Sequence, residues 1–325
     1  MVRRKKGRLI HGILIIDKPS GMTSSRVVQR LKHLTKAQKV GHTGALDPMA
    51  TGVLPVVFGE ATKFSQYGLG ADKTYVARVQ LGIATTTLDA DGEVTEKKSV
   101  PCLTESLVLS ALFSLTGVIE QLPPLISALK QNGQPWYKLA RQGVEVERRS
   151  RQVTIHRNHL IGFDTESGWI DIEVHCSKGT YIRSIAESLA DLLGTCGHLT
   201  ALTRICSGEL TLDSAHSLLE LESRLAESEE SCDDLFLPVD TLLLNLPRIT
   251  CTESECRALI SGQKVRSKSE VLCGTLRAYF DETRFFGLVS SESNGVISAK
   301  RMLSPAAAGI RGSSVFGPLG SGMPD

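Results

Sequence analysis

The sequence predicts a mixed α/β domain followed by a small β-rich unit. Three observations carry that expectation. Stretches of period-two hydrophobicity alternate irregularly, across long insertions, with stretches of helical spacing up to about residue 204. Beyond Leu244 the pattern changes to short strand-like runs after one capped helix. A chain of 325 residues with 41% hydrophobic content can bury one sizeable core and a second, smaller one.

The basic arm Met1-Val2-Arg3-Arg4-Lys5-Lys6-Gly7-Arg8 is either a nucleic-acid contact or a disordered segment. The apolar run Leu9 to Ile16 is interrupted by His11 and Gly12, has no small-residue cleavage site, and reads as a strand rather than a signal peptide. A turn at Lys18-Pro19-Ser20-Gly21-Met22 follows, and Thr23 or Ser24 caps a helix carrying Val27, Val28, Leu31 and Leu34. Lys73 to Leu81 has strand period, with Tyr75 on the same side as Ala77, Val79 and Leu81. Thr104 starts a helix bearing Leu107, Val108, Ala111, Leu112 and Leu115, and Leu122-Pro123-Pro124 then breaks regular structure. Trp169 to Cys176 alternates again, and the turn Ser177-Lys178-Gly179-Thr180 leads into a helix that Gly194 stops. Tyr181 and Arg183 therefore stand at a helix start behind a glycine turn, where donors can meet an anion. Ser223 to Asp234 is an acidic surface helix running into a linker. Thr252 and Glu255 form a capping box, Gly262 ends that helix, and strand-like runs pass through Leu272, Tyr279-Phe280, Phe285 to Val289 and Val296-Ile297. Ser304 to Asp325 is rich in Gly, Pro, Ser and Ala and is expected to be disordered.

One segment carries candidate chemistry. Gly41-His42-Thr43-Gly44-Ala45-Leu46-Asp47-Pro48-Met49-Ala50-Thr51-Gly52 presents a single carboxylate on a constrained backbone. Pro48 pushes Asp47 toward extended geometry, while Gly44 and Gly52 permit tight bends or close approach of another chain.

Other function classes are excluded. No Gly-x-Gly-x-x-Gly or Gly-x-x-x-x-Gly-Lys-Ser/Thr string occurs, so dinucleotide and P-loop readings fail. No stretch reaches membrane-span length. The eight cysteines include no Cys-x-x-Cys pair, and no His-x-x-x-His partner completes a zinc site, so free thiols in a reducing, cytoplasmic setting are expected, with no metal. A net charge of +2 means that any nucleic-acid affinity rests on local clusters: the arm, and Arg141, Arg148, Arg149 and Arg151.

The string from Gly41 through Lys63 closely resembles the catalytic motif of the pseudouridine synthases that modify the T arm of tRNA, the TruB-type tRNA pseudouridine-55 synthase family. Lys18-Pro19-Ser20-Gly21-Met22-Thr23-Ser24, Lys178-Gly179-Thr180-Tyr181-Ile182-Arg183, and the elements Pro123-Pro124, Ser127-Ala128-Leu129-Lys130, Gly133, Tyr137 and Ala140-Arg141 are similar to the same family. Two positions depart from it: Thr86, where relatives carry aspartate, and Thr203, where relatives carry arginine.

The resemblance implies a pseudouridine synthase catalytic domain of α+β type with a mixed, largely antiparallel sheet over residues 9–240. It also implies a thumb-like RNA-gripping insertion near 122–151 and a PUA-like RNA-binding domain over 245–303. It implies Asp47 as the essential residue, Tyr75 against the target base and Arg183 paired to Asp47 and keeping it ionised. Lys18 belongs to the element that braces the active-site loop and is counted among the substrate contacts. His42 would fill the gap left by an extruded base, and Tyr181 and Leu202 would line the uracil pocket. Lys130, Arg141, Arg148, Arg149 and Arg151 would contact RNA. No cofactor is implied, the partner is the T arm of tRNA, and a cytoplasmic monomer is expected. Asp47 would act as nucleophile at C1′ or as base toward a ribose proton. A non-catalytic tRNA-binding folding helper is the alternative, and an aspartate-dependent hydrolase is a third reading that lacks a second carboxylate or metal cluster nearby.

Overall fold

A computed structural model describes residues 7–308 except 128, 132, 137, 138, 140, 141, 143, 145, 229 and 267–271, and at 130 and 135 it describes the backbone. The chain divides into two compact units. The larger comprises Met1–Arg8, Leu14–Val57 and Ser65–Leu235, the smaller Leu9–Ile13, Phe58–Phe64 and Phe236–Asp325.

The elements of the larger unit begin with β1 (Gly12–Lys18), α1 (Ser24–Leu34), β2 (Val40–His42), β3 (Thr51–Phe58), α2 (Ser65–Gly70) and β4 (Lys73–Leu81). A hairpin, β5 (Ile83–Thr85) with β6 (Val94–Lys97), is followed by α3 (Glu105–Ser114) and β7 (Gly117–Gln121). The insertion holds a two-stranded ladder, β8 (Lys130–Gln131) with β9 (Gln134–Pro135). Then come β10 (Arg151–Asp164), β11 (Trp169–Cys176), α4 (Ile182–Leu192), β12 (Gly197–Ser207), β13 (Leu210–Thr211), β14 (His216–Ser217) and α5 (Leu218–Glu227).

Ten strands join in one sheet of order β14-β1-β3-β12-β4-β11-β10-β7, with β13 on β12 and β2 on β3. Its centre is antiparallel: β4 runs against both β11 and β12, and β10 against both β11 and β7. The pairs β1–β14 and β3–β12 are parallel, so the sheet is mixed, as expected. Alternation on β4 buries Lys73, Tyr75, Ala77, Val79 and Leu81, and that on β11 buries Ile170, Ile172, Val174 and Cys176. Helix α4 buries Ile185, Ala186, Leu189 and Ala190. Thr23, not Ser24, is the cap of α1, its hydroxyl accepting the Arg26 amide at 3.2 Å.

The smaller unit adds β15 (Arg248–Cys251), α6 (Glu253–Ile260), β16 (Val265–Arg266), β17 (Gly274–Phe280), β18 (Arg284–Ser291) and β19 (Val296–Met302). Its five strands run β15-β17-β18-β19-β16, the β-rich sheet expected of a PUA-like domain. The capping box of Thr252 and Glu255 is formed, and Gly262 ends α6 at φ +83°. Leu272, expected within a strand, is exposed and precedes β17. Two early segments belong here rather than to the first domain, because Ile13 exchanges backbone hydrogen bonds with Leu237 and Lys63 donates to the Met302 carbonyl at 2.9 Å. Residues 304–308, assigned by composition to a disordered tail, instead make turns: the Ser304 amide donates to Glu60 at 2.8 Å and Ala308 is buried. Residues 309–325 lie outside the described residues.

Candidate active site

Asp47 sits on a loop between β2 and β3, and the residues on either side of it are tied to the turn after β1 and to the first residue of α1. Ser24 is buried; its hydroxyl accepts the Leu46 amide at 2.8 Å and lies 3.2 Å from the Leu46 carbonyl. On the other side, the Pro48 carbonyl accepts from the Gly21 amide at 2.8 Å and from Lys18 Nζ at 3.1 Å, and Ser20 Oγ donates to Met49. Gly52 lets this loop return against β12: at φ +96°, an added Cβ would lie 2.2 Å from the Arg204 carbonyl oxygen. The backbone around the carboxylate is thus held by hydrogen bonds rather than by its own stiffness alone.

The carboxylate faces a cavity of about 580 Å³ whose walls come from the Asp47 loop, β4, β12, the start of β10 and the start of α4. Arg183, 3% exposed, reaches Asp47 with Nε at 2.9 Å from Oδ2 and Nη2 at 3.1 Å from Oδ1. The same guanidinium donates to the carbonyls of Thr87 at 2.8 Å and Ile126 at 3.0 Å, and lies 3.5 Å from the buried carboxylate of Asp89. Tyr75 and Leu202 line the cavity from β4 and β12, and Tyr181 lines it from the cap position of α4. The side-chain amide of Gln121 fixes Tyr181, accepting its N–H at 2.8 Å and donating to its carbonyl at 3.1 Å. Arg204 is 1% exposed and spends its donors on the carbonyls of Val53 and Gly44, at 2.7 and 3.1 Å, welding β12 to the loop.

Burial raises the pKa of Asp47, Arg183 opposes it, Asp89 adds to it, and Lys18 opposes it. The net direction is upward: Arg183 lowers this pKa, as expected of a neighbouring cation, but desolvation outweighs it. The physical reason is that the cavity walls partly desolvate Asp47, while the guanidinium that opposes this is shared with Asp89. Tyr75 is also pushed upward by burial, so it stays a neutral phenol. Lys73, whose ammonium bonds the Gly68 and Leu69 carbonyls at 3.1 Å, is lowered to about 8 by burial, with Arg204 pressing the same way. Of the described charged residues lining the cavity, Asp47 is the sole acid beside Lys73, Arg151, Lys178, Arg183 and Arg204. One carboxylate among five cationic groups suits a substrate carrying phosphates and offers no ligand set for a metal cation.

A model of the TruB family pseudouridylate synthase N-terminal domain matches residues 32–182. The tRNA pseudouridine synthase B of Chromohalobacter salexigens is 46% identical over 308 residues, covering 94% of this chain and 98% of that protein. The chain belongs to the TruB family. The tRNA pseudouridine synthase B of Aromatoleum aromaticum is 45% identical over 304 residues, 94% of this chain and 96% of that one. Among solved structures, one of an H/ACA RNP bound to a substrate RNA containing 2′-deoxyuridine matches at TM-score 0.71 and 20% identity, over 95% of this chain and 93% of that one. A Cbf5-Nop10-Gar1 complex matches at TM-score 0.69 and 23% identity, over 90% and 84%. These two share the TruB-type fold.

The structure gathers Asp47, Tyr75, Tyr181, Arg183 and Leu202 at one cavity. Arg151 joins them rather than the insertion's surface: it opens β10, stacks over the Tyr181 ring at 4.8 Å and donates to the Gly179 carbonyl. Lys18 and His42 are not among the residues lining the cavity. Lys18 is fully buried with its ammonium turned to the Pro19 and Pro48 carbonyls, which makes it a brace for the loop and not a wall of the pocket. Burial lowers its pKa to about 8, although Asp47 pulls the other way. His42 is half-buried on β2, its Nδ1 3.3 Å from the Gly44 amide that donates to it. Arg148 and Arg149 are exposed, Arg149 pairing with Glu147 at 3.0 Å. Arg141 and the side chain of Lys130 lie outside what is described.

Sequence reasoning missed Asp89, Lys73, Gln121 and Arg204 as parts of the site; Ser127, quoted only as part of a motif, lines the cavity with a buried hydroxyl that lacks a protein hydrogen-bond partner among the described residues. A charged residue within an apolar strand was the available signal for Arg204 and Lys73. The Thr86 departure is accommodated locally, since its hydroxyl accepts the Glu93 amide at 3.1 Å. At the other departure, the Thr203 and Thr51 hydroxyls meet at 2.8 Å across β3 and β12.

Proposed function

We propose that this chain isomerises U55 in the T arm of tRNA to pseudouridine, with Asp47 as nucleophile or base. The observation that supports it most is the Asp47 carboxylate, 2.9 Å from the Arg183 guanidinium, at the wall of a cavity that has room for a flipped nucleotide and is lined by Tyr75, Tyr181 and Leu202. The reaction cleaves the bond from ribose C1′ to uracil N1, turns the base, and joins C5 to C1′; the C5 proton leaves and N1 gains one. Asp47 either attacks C1′ or removes a ribose proton, and its upward-shifted pKa makes the ionised carboxylate a stronger base. Tyr75, as a neutral phenol, holds the base and assists transfer of the C5 proton.

A uridine stacked in a folded loop must be extruded at a cost of a few kcal/mol. In this reading His42 takes the space it leaves. Arg151, Lys178 and Lys73 attract the flanking phosphates, and Lys130, Arg141, Arg148 and Arg149 of the insertion and the β-rich unit extend the RNA contact. No helix of the described residues is long and apolar enough to cross a membrane. The protein acts as a cytoplasmic monomer, its eight cysteines remaining free thiols.

Unmodified tRNA labelled with tritium at uracil C5 tests the proposal. The native chain releases label to water and Asp47→Asn does not. Binding without release by either form returns the protein to a folding-helper role, and release of free uracil returns it to hydrolysis.

A further inference from the structure

Three residues far apart in sequence meet on the side of the sheet turned away from the cavity. On β4, Lys73 and Tyr75 line the cavity, so Thr74 faces the other side, and His175 of β11 is its register partner. On β10 the register with β11 shifts between Ile155 and Arg157, which leaves His156 in a bulge without a partner across the ladder. The bulge brings its imidazole beside that of His175, with ring centroids 4.8 Å apart. Asp72, at the corner entering β4, points its carboxylate at the same spot, Oδ2 lying 3.2 Å from His156 Nε2. One donor atom from each of the three lies within 4.8 Å of the others.

We propose that Asp72, His156 and His175 form a binding site for one divalent first-row transition ion, of which Zn²⁺ is the type. Two imidazole nitrogens and a carboxylate oxygen are a borderline donor set that such ions prefer over Ca²⁺ or Mg²⁺. Metal–ligand bonds of about 2.0–2.1 Å at tetrahedral angles put neighbouring donors about 3.3 Å apart. The Asp72–His156 pair already stands at that separation, and His175 needs a small rotation that its half-exposed setting allows. A fourth position remains for water. The cation next to Asp72 in the chain, the Lys73 ammonium, is tied to the carbonyls of Gly68 and Leu69 on the cavity side. The ion would join the start of β4, whose next residue lines the cavity, to β10 and β11, making this a structural site distinct from the chemistry at Asp47.

The full-length chain, stripped with chelator and kept reduced, is titrated with Zn²⁺ by chelator competition and calorimetry. The expected result is one equivalent bound with micromolar or tighter affinity and a thermal midpoint raised by several degrees. Asp72→Asn, His156→Ala and His175→Ala each weaken binding by at least the roughly 10–100-fold that losing a mere outer-shell partner costs. Because these side chains are at or near the surface, the metal-free variants keep the native midpoint. X-ray absorption on the native complex gives an independent reading: nitrogen and oxygen ligands at about 2.0–2.1 Å, with no sulfur at about 2.3 Å. Absence of stoichiometric binding, binding that survives all three substitutions, or a sulfur-containing shell from the exposed Cys102 or Cys273 overturns the proposal. The cluster is then an Asp–His ion pair beside a second imidazole.

Discussion

Arg183 holds Asp47 by a hydrogen bond from Nη2 at 3.1 Å and an ion-pair contact of Nε at 2.9 Å, while its third nitrogen faces Asp89 at 3.5 Å. The acid on the loop is therefore positioned by a cation that is itself positioned by a second acid. Lysine cannot serve Asp47, Asp89 and the Thr87 and Ile126 carbonyls from one planar group. Arg183→Lys should lower kcat about 10–100-fold, the value of a charge-assisted hydrogen bond of about 1.5–3 kcal/mol, with a smaller change in KM. Single-turnover tritium release on saturating tRNA measures it, and a purely KM effect would show that Arg183 serves binding alone.

Asp89 supplies the next expectation. It presses the Asp47 pKa upward, and catalysis needs the Asp47 carboxylate, so activity is present above that raised pKa and lost as pH falls through it. Asp89→Asn removes the like charge and should move the acid limb of kcat/KM to lower pH. A pH–rate profile of both forms decides the matter, and an unmoved limb would detach Asp89 from the ionisation of Asp47.

Stability follows the same sign. An acid whose pKa is higher folded than unfolded binds more protons when folded, so stability falls as pH rises through that window. Asp47→Asn removes the charge and should leave the thermal midpoint at neutral pH equal to or above that of the native chain, while abolishing activity. Calorimetry at pH 7 checks this. A clear drop would mean that Arg183 needs Asp47 for folding despite its bonds to Thr87, Ile126 and Asp89.

The loop brace is testable through Ser24, whose buried hydroxyl meets both the amide and the carbonyl of Leu46. Ser24→Ala leaves a buried amide unpaired, which costs about 1–3 kcal/mol. Chemical denaturation should register that loss, and kcat should fall with it because the residue before Asp47 is freed. Full activity with unchanged stability would mean that the Asp47 backbone is held by Gly21 and Lys18 alone.

Arg151 and its neighbours should separate. Arg148 and Arg149 are exposed, so their joint replacement by alanine should flatten the logarithmic salt dependence of tRNA binding by about 1–2, one counterion for each phosphate that is no longer neutralised. Arg151→Ala should instead reduce kcat, because it removes the group stacked on Tyr181 at the cavity wall. Salt-dependent binding isotherms alongside turnover distinguish the two, and identical behaviour of all three arginines would contradict the division.

Much of this was legible in the residues. The period-two runs at 73–81 and 169–176 became β4 and β11 with the expected faces buried, because a strand with one wet face needs strict alternation. The helix starts at Thr23 and Thr252 were readable because capping is local chemistry, completed within three residues. Of the two roles its motif gave Lys18, the loop brace is formed, and the substrate contact was not readable, for the opposite reason. Its motif marked it as part of the site, but whether a lysine reaches substrate or a backbone carbonyl depends on the path of a loop 30 residues away.

By itself, then, the sequence determined the strands at 73–81 and 169–176, the helix starts at Thr23 and Thr252, the constrained backbone at Asp47 and the likeness that pointed to Tyr75 and Arg183. Only the tertiary structure decided that Asp89 divides the charge of Arg183, that Arg151 belongs to the cavity, and that Asp72, His156 and His175 share a face. The reason is physical: periodicity and capping are set by neighbours along the chain. Charge sharing, desolvation and strand register are set by residues that become neighbours only when the sheet closes.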